Sequence, residues 1–220
     1  MLLSILLFDG FTALDVVGGY EVLANVPGME IEFVAAQCGL VAADTGRLGM
    51  QAYKTFAQLD ATDILYVPGG PGVRAAIADE ALIDCVRRVS AASAWTMSVC
   101  NGAEILGAAG LLAGKNVSTN WFAREKVAAY GASVGTKRYQ RDGQLVTGAG
   151  VSASIDAALY LVSFLTCEVT AKTIQLGIEY YPDPPFGSGT PDTQAEAMQQ
   201  MVAAFERKAP QRLAARKLPF

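Results

Sequence analysis

Trp95-Thr96-Met97-Ser98-Val99-Cys100-Asn101-Gly102-Ala103-Glu104 is a short apolar run that turns, at a cysteine, into a helix start. A strand passing directly into a helix is the repeating joint of an α/β protein. The joint also holds Cys100 in the open with its sulfur near helix-terminal N–H groups, which favour thiolate over thiol; this is a nucleophile's position. No histidine occurs in the 220 residues. No Cys-His or Ser-His-Asp relay can therefore be assembled, and any acid or base must be a carboxylate.

Outward from this joint the same alternation recurs. Leu3 to Phe8 reads as a first strand, Asp15 to Ala24 as a helix and Glu30 to Ala36 as a second strand. Val41 to Phe56, turning at Asp44-Thr45-Gly46, reads as a small antiparallel flap. Ile64-Leu65-Tyr66-Val67 is a buried strand running into Pro68-Gly69-Gly70-Pro71-Gly72, and Ile83, Val86 and Val89 give Ala81 to Ala92 helical spacing. Past the cysteine, Ala103 to Ala109 is a helix closed by Gly110, Asn116 to Thr119 a short strand, and Phe122 to Tyr130 a helix closed by Gly131. Tyr139 to Val146 reads as a hairpin. Helices over Ser154 to Leu165 and Val169 to Gly177 precede a loop rich in proline and glycine, Tyr181 to Pro191, and a final helix from Thr193 to about Lys208 ends at Pro210. The pattern predicts a mostly parallel sheet covered by helices on both faces, with residues 1–220 as one domain.

Composition sets the partners. A chain that is 52% hydrophobic buries a large core. Its net charge of −4 comes without a basic cluster large enough to neutralise phosphates, which argues against nucleic acid and for a small, neutral substrate. Met1 to Phe8 is apolar but lacks the basic start of a secretion signal, so it reads as the first strand. Later apolar runs fall far short of the roughly 20 residues needed to span a membrane. Cys38, Cys85, Cys100 and Cys167 lie apart without metal spacing, and a reducing cytoplasm is the expected compartment. Cys85 and Cys167 read as structural and Cys38 as exposed. The basic tail of Arg207, Lys208, Arg212, Arg216 and Lys217 reads as a solvated helix end or a dimer contact.

In open parallel sheets ligands bind beyond the carboxyl ends of the strands, where Asp9 to Asp15, Pro68 to Gly72 and Cys100 to Gly102 would converge. The N–H groups of Gly70 and Asn101 would form an oxyanion-hole-like pair, each donor worth roughly 3 to 4 kcal/mol in a transition state. Three carboxylates could serve the sulfur. Asp9 is explained as a turn residue. Glu104 is explained as a favourable charge at a helix start. Asp15 could cap the helix that follows, but its apolar neighbours Leu14 and Val16 favour a buried carboxyl of raised pKa and a functional role.

These residues resemble the ThiJ/PfpI superfamily, also described as class I glutamine-amidotransferase-like, and within it the isocyanide hydratase group. The resemblance runs through Leu14-Asp15, Val67-Pro68-Gly69-Gly70-Pro71-Gly72, Ser98-Val99-Cys100-Asn101-Gly102, Ser118-Thr119-Asn120-Trp121, Gly148-Ala149-Gly150-Val151 and Gln175-Leu176-Gly177. It implies a flavodoxin-like α/β/α sandwich that forms a homodimer, with Cys100 as nucleophile and Asp15 as its acidic partner. It further implies hydration of an isocyanide to an N-substituted formamide, a carbon–nitrogen lyase reaction without metal or organic cofactor. Val151 and Trp121 would line an apolar site.

Two positions depart from the group's pattern: Asn101 stands where the hydratases commonly carry threonine, and Asn120 where they commonly carry histidine. The second removes the partner of a Cys-His pair and argues against peptidase or amidase action. Two other readings stay open. One is a glyoxalase-like or other carbonyl-modifying member of the superfamily, whose substrate would want polar pocket groups. The other is a redox or effector sensor, since an accessible thiolate oxidises readily; an end at Phe220 leaves no room for a helix-turn-helix domain, against a regulator.

Overall fold

The computed structural model describes residues 1–216 and 218. The chain opens with β1 (Leu2–Leu6), buried after its first residue, and crosses through α1 (Ala13–Ala24) to β2 (Glu30–Ala35). β3 (Gly39–Ala42) and β4 (Gly49–Ala52) pair antiparallel, which is the expected flap. The end of that stretch differs. β5 (Lys54–Thr55) leaves the flap and extends the main sheet beside β2, where Lys54 Nζ reaches Glu32 Oε2 at 2.9 Å.

β6 (Ile64–Val67) leads through α2 (Val73–Ala78) and α3 (Glu80–Ala92) to β7 (Trp95–Ser98). Six-residue α2 was not predicted, being too short for an apolar period to register. α3 starts where the Asp79 carboxylate accepts the N–H groups of Ala81 and Leu82 at 3.0 and 3.3 Å, and it buries a stripe of Leu82, Ile83, Cys85, Val86 and Val89.

After β7 come α4 (Gly102–Ala108), β8 (Asn116–Val117), α5 (Arg124–Ala128) and β9 (Ser133–Val134). The helix predicted for Phe122 to Tyr130 is broken at its start. The Asn120 side chain accepts the Ala123 N–H at 3.0 Å, capping a 3-10 turn over Trp121–Ala123, and only five residues continue as α5. The hairpin of β10 (Tyr139–Asp142) and β11 (Leu145–Gly148) precedes α6 (Ala153–Leu165), α7 (Glu168–Gly177), α8 (Glu196–Arg207) and α9 (Ala209–Ala215). Pro210 sits in the first turn of α9 and begins a helix where the sequence reading has it end one; its missing N–H and fixed φ suit that position.

Seven strands form the central sheet in the order β10-β11-β7-β6-β1-β2-β5, parallel except for the β10/β11 pair. α1, α6 and α7 pack on one another as one helical layer, and α2, α3, α4 and α5 pack together as the other. The result is the predicted three-layer α/β/α sandwich with a mostly parallel sheet. β1 and β6, in mid-sheet, are buried on both faces, which is why β6 reads as an unbroken apolar run and β1 as one interrupted only by Ser4. The chain leaves β1 for β2 on one side and later places β6 on the other, so strand order reverses between β1 and β6. The loops after β1, β6 and β7 meet beyond this reversal.

Candidate active site

The loop after β1 is tied to the loop after β6 by backbone bonds, Thr12 N–H to the Gly69 carbonyl at 2.9 Å and Gly72 N–H to the Gly10 carbonyl at 3.1 Å. Gly70 permits this approach: at φ +139° a side chain is strained, and a Cβ there would lie 2.5 Å from the Gly10 oxygen. Asp15 enters from the first turn of α1. Thr12 occupies the N-cap position, so Asp15 is not the cap. Its carboxyl is fully buried, with Oδ2 accepting the Gly69 N–H at 2.8 Å and Oδ1 without a hydrogen-bond partner. The Tyr66 hydroxyl donates to the Asp15 backbone carbonyl and holds the turn in place. Burial raises the Asp15 pKa to about 7; the Gly69 N–H and the nearby Cys100 thiol oppose the rise, and the Asp44 charge adds to it.

Cys100 sits on the elbow after β7 with φ +56°, a left-handed conformation strained for any residue but glycine. Flanking bonds hold it there. Its N–H donates to the Ala149 carbonyl at 2.7 Å, and its carbonyl accepts the Thr119 hydroxyl at 2.7 Å. The sulfur accepts the Asn120 Nδ2–H at 3.0 Å and the backbone N–H of Asn101.

The expected open thiolate is corrected on two counts. Cys100 is buried, only 4% exposed, although it lies on the wall of a cavity of about 820 Å³. Its pKa is pushed well above the ordinary thiol value, first by burial and then by the Asp15 charge; Asn120 and Asn101 pull it down, and Glu206 adds to the rise. The dipole of α4, seven residues long, does not outweigh these effects. Sulfur and carboxyl thus form a coupled pair whose first proton leaves near neutrality and whose second is held into the alkaline range.

The predicted oxyanion-hole pair also takes a different form. Gly70 N–H donates to Asn101 Oδ1 at 2.7 Å and Asn101 Nδ2 donates to the Gly70 carbonyl at 3.1 Å, so the side chain clamps the loop after β6 to the elbow and consumes the Gly70 donor. Val151 lines the cavity as expected. Trp121 does not: it is half-buried, set edge-on to Phe122 at 5.6 Å, and Phe122 lines the cavity in its place. Adjacent side chains of a 3-10 turn diverge by about a third of a turn, so only one of the two can face the sulfur. Glu104 also lines the cavity, its pKa raised by burial and restrained by Lys126 at 3.7 Å.

Three contributions went unpredicted. Asn120 figured only as a missing histidine, and Tyr66 only as a strand residue. The third is the tail, expected to be solvated or at a dimer contact. Ala203, Phe205, Glu206, Arg207, Arg212 and Leu213 line the same cavity, and Arg216 binds Asp9 and the Ala43 carbonyl, so α8 and α9 form the outer wall. Lys217 lies outside the described residues. Asp9, assigned to a turn, anchors this wall. Cys85 is buried as predicted, with burial raising its thiol to about 11, and Cys38 is exposed. Cys167 is exposed rather than structural, with its sulfur 3.4 Å from Thr170 Oγ1. Trp95 stacks on Phe164 away from the cavity. Among the described residues no group of three or more His, Cys, Asp or Glu is placed to hold a metal, and no helix is long and apolar enough to cross a membrane.

Comparison with known proteins places this geometry. Residues 2–163 match the DJ-1/PfpI family. An isonitrile hydratase from Pseudomonas putida is 39% identical over 208 residues, covering 94% of this chain and 90% of that protein. The crystal structure of a ThiJ/PfpI family protein from Pseudomonas syringae superposes with a TM-score of 0.88 at 34% identity, covering 96% of this chain and 90% of the other. A mutant of a DJ-1 superfamily protein from Salmonella typhimurium superposes with a TM-score of 0.73 at 26% identity, covering 83% of this chain and 99% of the other.

Proposed function

The chain belongs to the DJ-1/PfpI family, and from that premise we propose that it is an enzyme hydrating isocyanides to N-substituted formamides through Cys100 and Asp15. The observation that carries this reading is the buried meeting of one thiol and one carboxyl, ionising as a pair, with the thiol on the wall of a cavity large enough for a small molecule and the carboxyl behind it. The similarity to an isonitrile hydratase over most of both chains supports the substrate class.

In the mechanism we propose, the Cys100 proton passes to the Asp15 carboxylate and the sulfur attacks the terminal isocyanide carbon. Asp15 returns that proton to the same carbon, leaving a thioimidate, S–CH=N–R. Asp15, again a carboxylate, takes a proton from water as the oxygen adds to the thioimidate carbon, and the nitrogen gains that proton. Collapse of the adduct forms the carbonyl and breaks the C–S bond, and the hydroxyl proton returns to the pair. The sum is R–NC plus water giving R–NH–CHO. Val73, Phe122, Val151 and Leu213 would receive the R group.

The proposal extends to a cofactor-independent reaction by a cytoplasmic homodimer in which residues 1–220 form one domain. Met198, Met201, Val202 and Phe205 leave an apolar stripe exposed along α8, which supports a self-associating surface. The test is to incubate purified protein with an aliphatic and an aromatic isocyanide and follow formamide. Turnover that disappears in Cys100→Ser and Asp15→Asn is expected. Turnover of methylglyoxal with none of either isocyanide overturns the reading.

A further inference from the structure

Asn120 Nδ2 lies 3.0 Å from the Cys100 sulfur, and its orientation is fixed because Oδ1 accepts the Ala123 N–H at 3.0 Å. The residue is buried, so water does not compete for the contact. With no histidine in the chain, no cationic side chain is hydrogen-bonded to the sulfur in the described structure; its donors are the Asn120 amide and the Asn101 backbone N–H.

We propose that Asn120 is a catalytic residue, a fixed neutral donor that stabilises the Cys100 thiolate and so fills the place an imidazolium would take in a Cys-His pair. An amide neither gives up nor accepts a proton near neutrality. Asn120 therefore stabilises the anion without competing for the proton, which passes from sulfur to the Asp15 carboxylate and stays available for delivery to a substrate. Asn101 complements it as a positioning residue, because its clamp on Gly70 holds the loop whose Gly69 N–H fixes Asp15.

The inference rests on Cys100 as the reacting group but not on isocyanide as the substrate, and its test uses neither substrate nor turnover. The alkylation rate of Cys100 by iodoacetamide is measured from pH 6 to 10 by mass spectrometry of the Cys100 peptide, which separates it from exposed Cys38 and Cys167. Asn120→Ala removes the donor. Asn120→Asp keeps the shape and the acceptor for the Ala123 N–H but presents no amide donor. Hydrogen bonds to charged groups set the expected effect: alkylation at pH 8 falls about ten- to a hundredfold in both variants, and the profile moves to higher pH. Thr119→Val disturbs the same elbow without touching the sulfur and is expected to move the profile less. An unchanged profile in Asn120→Ala, full retention of rate in Asn120→Asp, or an equal displacement in Thr119→Val overturns the proposal. Loss of alkylation alongside no isocyanide turnover in the unaltered protein would leave this inference standing and remove the substrate.

Discussion

Relative to the unaltered protein, Asp15→Asn should gain stability as pH rises from acid to neutral, while losing the proposed chemistry. The buried carboxyl has its pKa raised from 3.8 to about 7. Below 3.8 it is protonated in folded and unfolded chains alike, and the difference costs nothing. As pH rises the unfolded chain ionises first, so the folded state is progressively penalised until its own carboxyl ionises near 7. At about 1.4 kcal/mol per pH unit, the full penalty is about 4 kcal/mol, and full burial leaves no solvent to screen it. Asparagine does not titrate, and its amide oxygen can still accept the Gly69 N–H. The assay is urea unfolding of both proteins from pH 4 to pH 8, read as the stability of the variant minus that of the unaltered protein, so that the other ionisable groups cancel. The difference should rise by about 4 kcal/mol in favour of the variant, most of it between pH 4 and pH 7. A flat difference would refute the raised pKa and, with it, the proton-carrying role.

Activity carried by the one-proton form of the pair should rise with pH through about 7 and then level, measured as kcat/KM for isocyanide hydration. Tyr66→Phe deletes the hydroxyl bound to the Asp15 carbonyl and should cost about 1 kcal/mol in urea unfolding. Gly102→Ala places a Cβ 2.6 Å from the Val67 and Pro68 carbonyl oxygens; it should destabilise by about 1 to 3 kcal/mol and slow Cys100 alkylation as the elbow shifts. Arg216→Ala releases α9 from Asp9 and Ala43, so trypsin should cut after Arg207 or Lys208 faster, while global unfolding changes by less than about 1 kcal/mol.

The fold was legible where the sequence pattern is long and one-sided. β1, apolar but for Ser4, and β6 announce themselves as apolar runs because mid-sheet parallel strands are covered on both faces, and α3 shows its period because only one of its faces is buried. α2 and α9 escaped, being six and seven residues long, and Pro210 pointed to a helix end where its chemistry equally suits a start. At the site, Cys100 and Asp15 stood out because each breaks a local rule, a cysteine at a strand-to-helix joint and an acid among apolar neighbours. The protonation state did not follow, since it depends on how deeply the fold buries both groups and on charges brought from far along the chain, such as Glu206. Asn120 was equally hidden. A single polar residue after a short strand carries no periodic signal, and its value comes only from the turn that aims it.

The proton count at the Cys100–Asp15 pair bears on which ligands reach it. Above neutrality the pair carries a negative charge beside the cavity wall, with Glu206 contributing from the outer wall. Five basic side chains of the same lining, Arg74, Lys126, Arg207, Arg212 and Arg216, face three acids, Asp44, Glu104 and Glu206, so the cavity as a whole attracts anions while the pair repels them locally. An uncharged ligand feels neither pull.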